Sequence, residues 1–245
     1  MNLLEVQGLR KTYPAFRLED VSFSVPEGAV MGLIGRNGAG KSTTLKSILG
    51  LVHPDAGRVE MFGREFSENE RYIKENIGVV LGGIDFYPKK KVRTITDVTR
   101  RFYSNWQEEK YRHYLDLFAI DENKRVDQLS SGMRVKYLLA LALSHNARLL
   151  ILDEPTSGLD PVSRDELTEL LRRIAADGTR SVLFSTHITS DLEKCASHIT
   201  FIQEGRLQRS DTLAGFMAHY ADLGSTLEEI IVAAERRSYD ADAII

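Results

Sequence analysis

One octapeptide limits what this chain can fold into more than any other feature: Gly-Arg-Asn-Gly-Ala-Gly-Lys-Ser at residues 35–42. Two glycines separated by four residues and followed by Lys and Ser form the pattern of a phosphate-binding loop. An apolar run from Ala29 to Ile34 precedes the loop, and a helical pattern from about Ser42 to Leu49 follows it. A chance glycine turn is the alternative, but a random chain of this length carries the pattern only about once in a hundred times.

The residues of this loop predict a site for ATP. Glycines allow backbone N–H groups to turn inward around phosphate oxygens, and the N-terminus of the following helix adds a favourable dipole. We expect Lys41 to neutralise the terminal phosphates and the Ser42 hydroxyl to bind Mg²⁺. The residues expected to hold the nucleotide here are Gly35, Arg36, Asn37, Gly38, Ala39, Gly40, Lys41, Ser42 and Thr43.

A second apolar run, Leu149 to Leu152, delivers two neighbouring carboxylates, Asp153 and Glu154, at its end. Ligands bind at the carboxyl ends of strands in open α/β sheets, so we expect Asp153 to hold Mg²⁺ directly or through water. We expect Glu154 to orient and deprotonate the attacking water. Alone, such a pair usually begins a solvated loop, but beside a phosphate-binding loop the catalytic interpretation is favoured.

His187 follows another strand-like run, Ser181 to Ser185, and is expected to emerge at the same sheet edge as Asp153. A catalytic contact with the γ-phosphate is the functional interpretation, and an ordinary loop residue is the alternative. The other histidines lack metal-ligand spacing and are interpreted as surface or packing residues.

The remaining sequence predicts an α/β fold. Short strands and turns fill the opening third, and strands alternate with helices from Leu149 to Gln203, which predicts a mostly parallel sheet covered by helices. Between residues 69 and 146 the sequence becomes charged, aromatic and helix-periodic, which indicates an inserted helical subdomain. Beyond Ser210 the pattern is that of amphipathic helix.

Composition excludes several classes of protein. The 32 basic and 35 acidic residues nearly balance, so we expect no nucleic-acid partner and no general membrane coat. Cys195 is the only cysteine, which rules out an internal disulfide. No apolar run approaches the roughly 18 to 20 residues that a transmembrane helix needs, and the N-terminus lacks a leader pattern. If the protein serves transport, another polypeptide must supply the pore.

Several motifs in order resemble the nucleotide-binding subunit of an ATP-binding-cassette (ABC) transporter. They are residues 35–42, Leu129–Met133, Asp153–Pro155, Ser157–Asp160 and His187. The resemblance covers essentially residues 1 to 210 and implies a P-loop NTPase (RecA-like) core, an N-terminal antiparallel β-subdomain and an inserted helical subdomain. It also implies that Tyr13 stacks on the adenine, although an exposed strand-end aromatic is the alternative.

The predicted domain organisation follows from this resemblance and from the change of sequence character. Residues 1–83 form the first part of the ATP-binding core with the β-subdomain, and residues 84–146 the inserted helical subdomain. Residues 147–210 form the second part of the core, and residues 211–245 a helical tail.

Residues 129–133 look like the family's Leu-Ser-Gly-Gly-Gln signature, with Ser131 and Met133 as departures. Ser130 can cap the helix that follows and direct a hydroxyl and a helix dipole towards a γ-phosphate. Without the family, this segment is only a helix cap. The resemblance implies that Ser130, Ser131 and Gly132 reach the nucleotide of a second ATP-binding subunit, identical or closely related, with Asp160 at the same seam.

One segment departs from the family's pattern. After Leu81 the family usually has a Gln that contacts Mg²⁺ or the attacking water, whereas this chain has Gly82 and Gly83. Neither side chain can coordinate, so nucleotide sensing or the hydrolysis rate is expected to differ. Asp85 is a candidate substitute, and an Asp85→Ala variant with wild-type turnover would remove it from consideration.

Residues 102–106 and 185–193 resemble a bacterial subgroup of exporter ATPases that expel amphipathic antimicrobial or phenol-soluble peptides. Taken alone, the aromatic cluster at residues 102–106 is better explained as core and groove packing. This implies a cytoplasmic subunit bound at the membrane's cytoplasmic face to a membrane-spanning partner, whose short helix enters a groove near Phe86, Tyr87 and Pro88. The basic run at residues 89–93 suits anionic lipid or an acidic partner, with a solvated loop as the favoured alternative. A soluble non-transport ABC ATPase and a nucleotide-binding regulatory subunit with little turnover are the other functions considered.

Overall fold

The computed structural model describes residues 1–81 and 87–235, and the strands of these residues form one sheet with the order β5-β4-β1-β2-β10-β9-β3-β8-β7-β6. The strands are β1 (Asn2–Tyr13), β2 (Phe16–Pro26), β3 (Val30–Ile34), β4 (Ala56–Met61), β5 (Arg64–Glu65), β6 (Ile77–Val80), β7 (Leu149–Asp153), β8 (Ser181–Thr186), β9 (His198–Gln203) and β10 (Arg206–Thr212).

Helices connect these strands and cover the sheet. They are α1 (Lys41–Ile48), α2 (Phe66–Asn76), α3 (Val92–Thr99), α4 (Glu108–Leu117), α5 (Ser131–Ser144), α6 (Pro161–Ala175), α7 (Thr189–Cys195), α8 (Leu213–His219) and α9 (Leu227–Glu235). Within the described ranges, no helix is both long and apolar enough to cross a bilayer.

The strands β6, β7, β8, β3 and β9 run parallel and form the centre of the fold. All residues of β3, β7 and β8 are buried, as expected for strands with helices on both faces. Because parallel strands end at the same edge, the residues that follow β3, β7 and β8 meet there. This arrangement positions the three predicted segments of the site side by side.

The strands β1, β2 and β4 form the predicted antiparallel subsheet, which β10 joins to the parallel sheet. At this junction the Glu19 N–H donates to the Gly205 carbonyl at 2.8 Å. Gly205 has a φ of +78°, and a Cβ there would lie 1.8 Å from the Arg17 carbonyl oxygen. Only glycine fits at this crossing, which holds the β9–β10 turn close to β2.

The helices α3, α4 and α5 pack around an apolar cluster of their own, separate from the two clusters that flank the sheet. In this cluster the Thr96 hydroxyl lies 2.7 Å from the Tyr111 hydroxyl and 2.9 Å from that of Tyr137. Burial raises the pKa of Tyr111 to about 12 and also raises the pKa of Tyr137, so both phenols stay neutral and can share hydrogen bonds in the interior.

The sequence boundary at residue 69 does not coincide with a boundary in the structure. Residues 69–76 belong to α2, which contacts β4 and β5, and β6 then joins the main sheet beside β7. The sequence pattern did not show that β6 belongs to the main sheet, because its partner β7 lies about seventy residues further along the chain. At the predicted start of the tail, β10 continues to Thr212 before α8 begins.

Candidate functional site

The loop between β3 and α1 adopts a conformation that leaves backbone N–H groups available. Gly40 stands at the N-cap of α1 with a φ of +114°, and it has no side chain to cap the first turn. The first N–H groups of a helix have no partner within it, so those of α1 remain free to bind an anion. A Cβ at Gly40 would lie 3.0 Å from Phe16 Cζ, which places that aromatic ring beside the loop.

Lys41 is the buried cation of this loop, with only 5% of its surface exposed. Its Nζ donates to the Gly35 carbonyl at 2.7 Å and to the Arg36 carbonyl at 3.3 Å, and it lies 3.3 Å from Glu154 Oε1. A buried ammonium needs such partners. The loop therefore folds around a positive charge next to the free N–H groups, which favours a phosphate ligand.

Asp153 and Ser42 meet across the end of the sheet. The Ser42 hydroxyl donates to Asp153 Oδ1 at 3.0 Å, and the buried Ser185 hydroxyl donates to the same oxygen at 2.6 Å. Ser185 Oγ also accepts the Glu154 N–H at 2.9 Å, so this one hydroxyl holds both carboxylate residues. Serine and aspartate oxygens are the hard ligands that Mg²⁺ prefers, together with phosphate oxygens and water.

Glu154 has a left-handed backbone, with a φ of +51°, which is uncommon for a residue with a side chain. This conformation turns its carboxylate away from the one that precedes it, so that the two neighbouring acids reach different partners. Its Oε1 faces Lys41, and its Oε2 lies 2.8 Å from Nδ1 of His187. Strained backbone of this kind is concentrated at functional sites.

These segments enclose a cleft of about 590 Å³. Its lining residues are Ala15, Phe16, Asn37, Gly38, Gly40, Lys41, Ser42, Thr43, Glu154, Ser157 and His187. Most of the predicted loop (Asn37, Gly38 and residues 40–43) comes together here with Glu154 and His187, whereas Gly35, Arg36, Ala39 and Asp153 are not among the described lining residues. Tyr13, at the end of β1 and 39% exposed, is not among the described lining residues, whereas its strand partner Phe16 is.

The other predicted residues form a second cluster at the N-termini of α5 and α6. Ser130 caps α5 by accepting the Met133 N–H at 3.2 Å. Asp160 caps α6 through the N–H groups of Val162 and Ser163, and hydrogen bonds from Ser163 lower the pKa of Asp160. A Cβ at Gly132 would lie 3.3 Å from Ser163 Oγ, so the two helix ends are in contact.

This second cluster stands apart from the described lining of the cleft: Ser130, Ser131, Gly132 and Asp160 are all absent from it. Ser130 and Ser131 are exposed. If these residues contact a nucleotide as predicted, that nucleotide must be bound outside the cleft of their own chain.

Some sequence predictions fall outside the described residues, namely those on Gly82, Gly83, Asp85 and Phe86. Among residues 1–81 and 87–235, no group of three or more His, Cys, Asp or Glu side chains could hold a metal ion. The Ser42–Asp153 pair suits a cation that takes most of its ligands from substrate and water, and such a site needs no third protein ligand.

Several residues of the site were missed by sequence reasoning, Ala15 and Phe16 of the cleft lining among them. Ser185 had a detectable signal, because it is a polar residue near the end of an otherwise apolar buried strand. Ser157 belongs to the motif at residues 157–160, in which only Asp160 was predicted to be a site residue. Glu235 contacts the Arg36 backbone from the far end of the chain, and no local pattern indicates that contact.

Known proteins resemble this chain over most of its length. A family model described as ABC transporter matches residues 18–157. Bacitracin transport ATP-binding protein BcrA of Bacillus licheniformis is 32% identical over 208 residues, which cover 84% of this chain and 68% of that protein. Nod factor export ATP-binding protein I of Burkholderia orbicola is 39% identical over 191 residues, which cover 76% of this chain and 62% of that protein.

Solved structures confirm the predicted P-loop NTPase fold. A structure described as an ATP binding subunit of an ABC transporter is 28% identical, with a TM-score of 0.85, and the match covers 96% of this chain and all of that one. A dimeric ATP-binding cassette in a post-hydrolysis state with ADP and phosphate is 21% identical, with a TM-score of 0.75, covering 86% and 98% of the two chains. The second likeness is evidence for the fold alone.

Proposed function

Because this chain belongs to the ABC transporter family as an ATP-binding subunit that hydrolyses ATP, we propose that it powers export through a separate membrane-spanning subunit. The observation that carries the proposal is the cleft in which Glu154 lies between Lys41 and His187, next to free N–H groups of α1. A triphosphate in this cleft would meet a cation, helix N–H groups and a carboxylate suited to deprotonate water.

The binding steps follow from the chain's own groups. The N–H groups of Gly38 and of residues 40–43 would hold the phosphates, and Lys41 would turn from Glu154 to the terminal phosphates. Ser42 and Asp153 would hold Mg²⁺, which neutralises phosphate charge when bound. Stacking of the adenine by Tyr13 stays a prediction, and Phe16 is a second aromatic residue near the same loop.

Hydrolysis needs a water molecule in line with the γ-phosphate and a group that accepts its proton. The Glu154 carboxylate is the candidate base, because it lines the cleft and a carboxylate can accept a proton. It lies between the Lys41 ammonium and the His187 ring. Because His187 Nδ1 contacts Glu154, an ionised Glu154 would fix the proton on Nδ1 and leave Nε2 as an acceptor. His187 would thus keep Glu154 in place, whereas the predicted contact with the γ-phosphate, whose oxygens only accept hydrogen bonds, would need a proton on Nε2 as well.

A second ATP-binding subunit would complete the site. Ser130, Ser131 and Gly132 lie outside the cleft of their own chain, and the N-terminus of α5 offers a hydroxyl and a helix dipole. In a head-to-tail pair, this helix end would cover the nucleotide of the partner, with Asp160 beside it. ATP would favour the closed pair only because it binds that state more tightly, and hydrolysis would release it.

The membrane subunit would bind an apolar groove of about 240 Å³ beside α3 and α5. Its lining includes Val79, Leu81, Ile95, Tyr103 and Leu138. Exposed apolar side chains lie nearby in the chain, with Phe102 73% and Tyr87 71% exposed. Such side chains next to a groove suit the insertion of an apolar helix. We propose that this contact holds the subunit at the cytoplasmic face of the membrane.

The cargo is proposed from the relatives. The two relatives described above carry names that refer to bacitracin transport and Nod factor export, and the matches span 68% and 62% of their lengths. We propose an amphipathic cargo, such as an antimicrobial peptide, that the membrane subunit exports. A soluble ABC ATPase and a regulatory subunit without turnover are the alternatives that the following experiment separates.

The test is purification of the tagged chain from native membranes, followed by reconstitution in vesicles with MgATP. We expect a membrane-spanning protein to co-purify and phosphate release to depend on this complex. Phe102→Asp should abolish the association and keep MgATP binding, whereas Leu117→Asp, at another exposed apolar position (60%), should change neither. A reconstituted complex without phosphate release, or a chain that never associates with a membrane protein, would contradict the proposal.

Removing the Ser185 hydroxyl is expected to slow turnover about tenfold, because this group orients both Asp153 and Glu154. Ser185→Ala should change the Kd for MgATP by less than about twofold, since Lys41 and the loop remain. Ser181→Ala on the same strand is the matched control: it is also fully buried, but its hydroxyl donates to the Pro26 carbonyl. Equal turnover in the two variants would refute the role of Ser185.

A further inference from the structure

The last described residue of α9 reaches the phosphate-binding loop from the opposite end of the chain. Glu235 Oε1 accepts the Arg36 backbone N–H at 3.1 Å, and its Oε2 lies 3.5 Å from Arg36 Nε. The Glu235 side chain is only 6% exposed, whereas the Arg36 side chain is 59% exposed. The carboxylate is therefore held in the protein, and its buried partner is the backbone of the loop.

The docking of α9 explains why this carboxylate is in place. Leu227 and Ile230 are fully buried in the apolar cluster beside the sheet. Glu193 accepts the Leu227 N–H at 2.7 Å, and Gln203 Nε2 donates to the Ala234 carbonyl at 3.1 Å. The helix is thus fixed at both ends, and the residue after Ala234 is directed at the loop.

The peptide groups of Arg36 are held from two sides. Its N–H is bound by Glu235, while its carbonyl accepts hydrogen bonds from Lys41 Nζ at 3.3 Å and from the Ala39 N–H at 3.0 Å. Burial raises the pKa of Glu235, an effect that Arg36 and Lys41 oppose. Burying a carboxylate costs free energy, so we expect the buried Glu235 carboxylate to have a function at this position.

We propose that Glu235 is a positioning residue for MgATP binding, which fixes the Arg36 peptide and so orders the loop and Lys41 before the nucleotide arrives. This rests on the proposed function and extends it to the C-terminal helix, which lies beyond the residues that the family model matches. The physical gain is pre-organisation, since a loop already held in its binding geometry loses less entropy when the phosphates bind.

The alternative role of Glu235 is to weaken nucleotide binding. A carboxylate near a triphosphate could act mainly by repulsion and weaken nucleotide binding. The two roles predict opposite signs when the carboxylate is removed. Glutamine separates them further, because its Oε1 still accepts the Arg36 N–H while its charge is lost.

The experiment measures the Kd for MgATP by calorimetry, and KM and kcat by phosphate release, on the full chain. We expect Glu235→Ala to raise Kd and KM about fivefold, the equivalent of one net hydrogen bond, with kcat within about twofold. Glu235→Gln should stay within about twofold of wild type. Glu228→Gln, the same chemical change at an exposed position of α9, should have no effect.

Unchanged binding by Glu235→Ala, or tighter binding by both the Ala and the Gln variants, would overturn the proposal. If Glu235→Ala does not fold, Glu235→Asp serves instead: its side chain is one methylene shorter, so it should raise Kd while Glu235→Gln does not. Failure of the wild-type chain to bind MgATP would count against the proposed function, whereas equal Kd values in wild type and variants would count only against the role of Glu235.

Discussion

Replacing Glu154 by glutamine is expected to reduce ATP hydrolysis about 100- to 1,000-fold, because the substitution removes the candidate base and leaves the cleft intact. Glutamine has the same shape, so its contacts with Lys41 and His187 change in charge more than in geometry. MgATP should still bind through the loop and the N-terminus of α1. Under the proposed mechanism, the bound nucleotide would persist and hold two chains together.

The measurement combines phosphate release with gel filtration in the presence of MgATP. Wild type should elute mainly as monomer at steady state, and Glu154→Gln should elute as dimer. Glu109→Gln, the same change at an exposed position of α4, is the control and should behave as wild type. A Glu154→Gln variant that hydrolyses ATP at the wild-type rate would refute the assignment of the base, and a persistent monomer would refute the dimer mechanism.

Replacing Lys41 by methionine is expected to weaken MgATP binding on the order of 100-fold, since the loop would lose its buried charge and the hydrogen bonds that this charge makes. Lys41 Nζ bonds the Gly35 and Arg36 carbonyls, so the loop would also lose part of its internal support. Glu154 would be left without its cation, which adds repulsion between this carboxylate and the phosphates.

Calorimetry with MgATP tests this expectation, with Lys46→Met as the matched control. Lys46 is on the same helix α1 but exposed, so removal of its charge should change the Kd by less than about twofold. Thermal unfolding of both variants would establish that the fold persists. Equal affinity in Lys41→Met and Lys46→Met would mean that the phosphates bind elsewhere.

The local parts of the fold were predictable from sequence because their signals are local. The run from Ala29 to Ile34 differs from β3 by one residue, and the helix placed at Ser42–Leu49 differs from α1 by one residue at each end. In both cases a short apolar or periodic run ends at a glycine. The positions of the two carboxylates at the end of β7 were also predictable, because polar residues that follow a buried strand lie at the sheet edge.

The remaining parts depended on contacts between distant segments. Nothing near residues 77–80 indicates that this strand pairs with β7, because the pairing joins residues about seventy positions apart. The left-handed backbone of Glu154 was not predictable either, since no local pattern indicates it and the Glu154 N–H bonds Ser185, which is 31 residues away on a neighbouring strand. Glu235 is the extreme case, because its partner Arg36 is 199 residues away.

The order of the sheet has a consequence for synthesis on the ribosome. Both neighbours of β3, namely β8 and β9, are made more than 140 residues after it. Until they leave the ribosome, an apolar segment with unpaired N–H and C=O groups on both edges has no partner in its own chain. Such a segment is open to pairing with other nascent chains, so the growing chain passes through a long interval in which a chaperone would protect it.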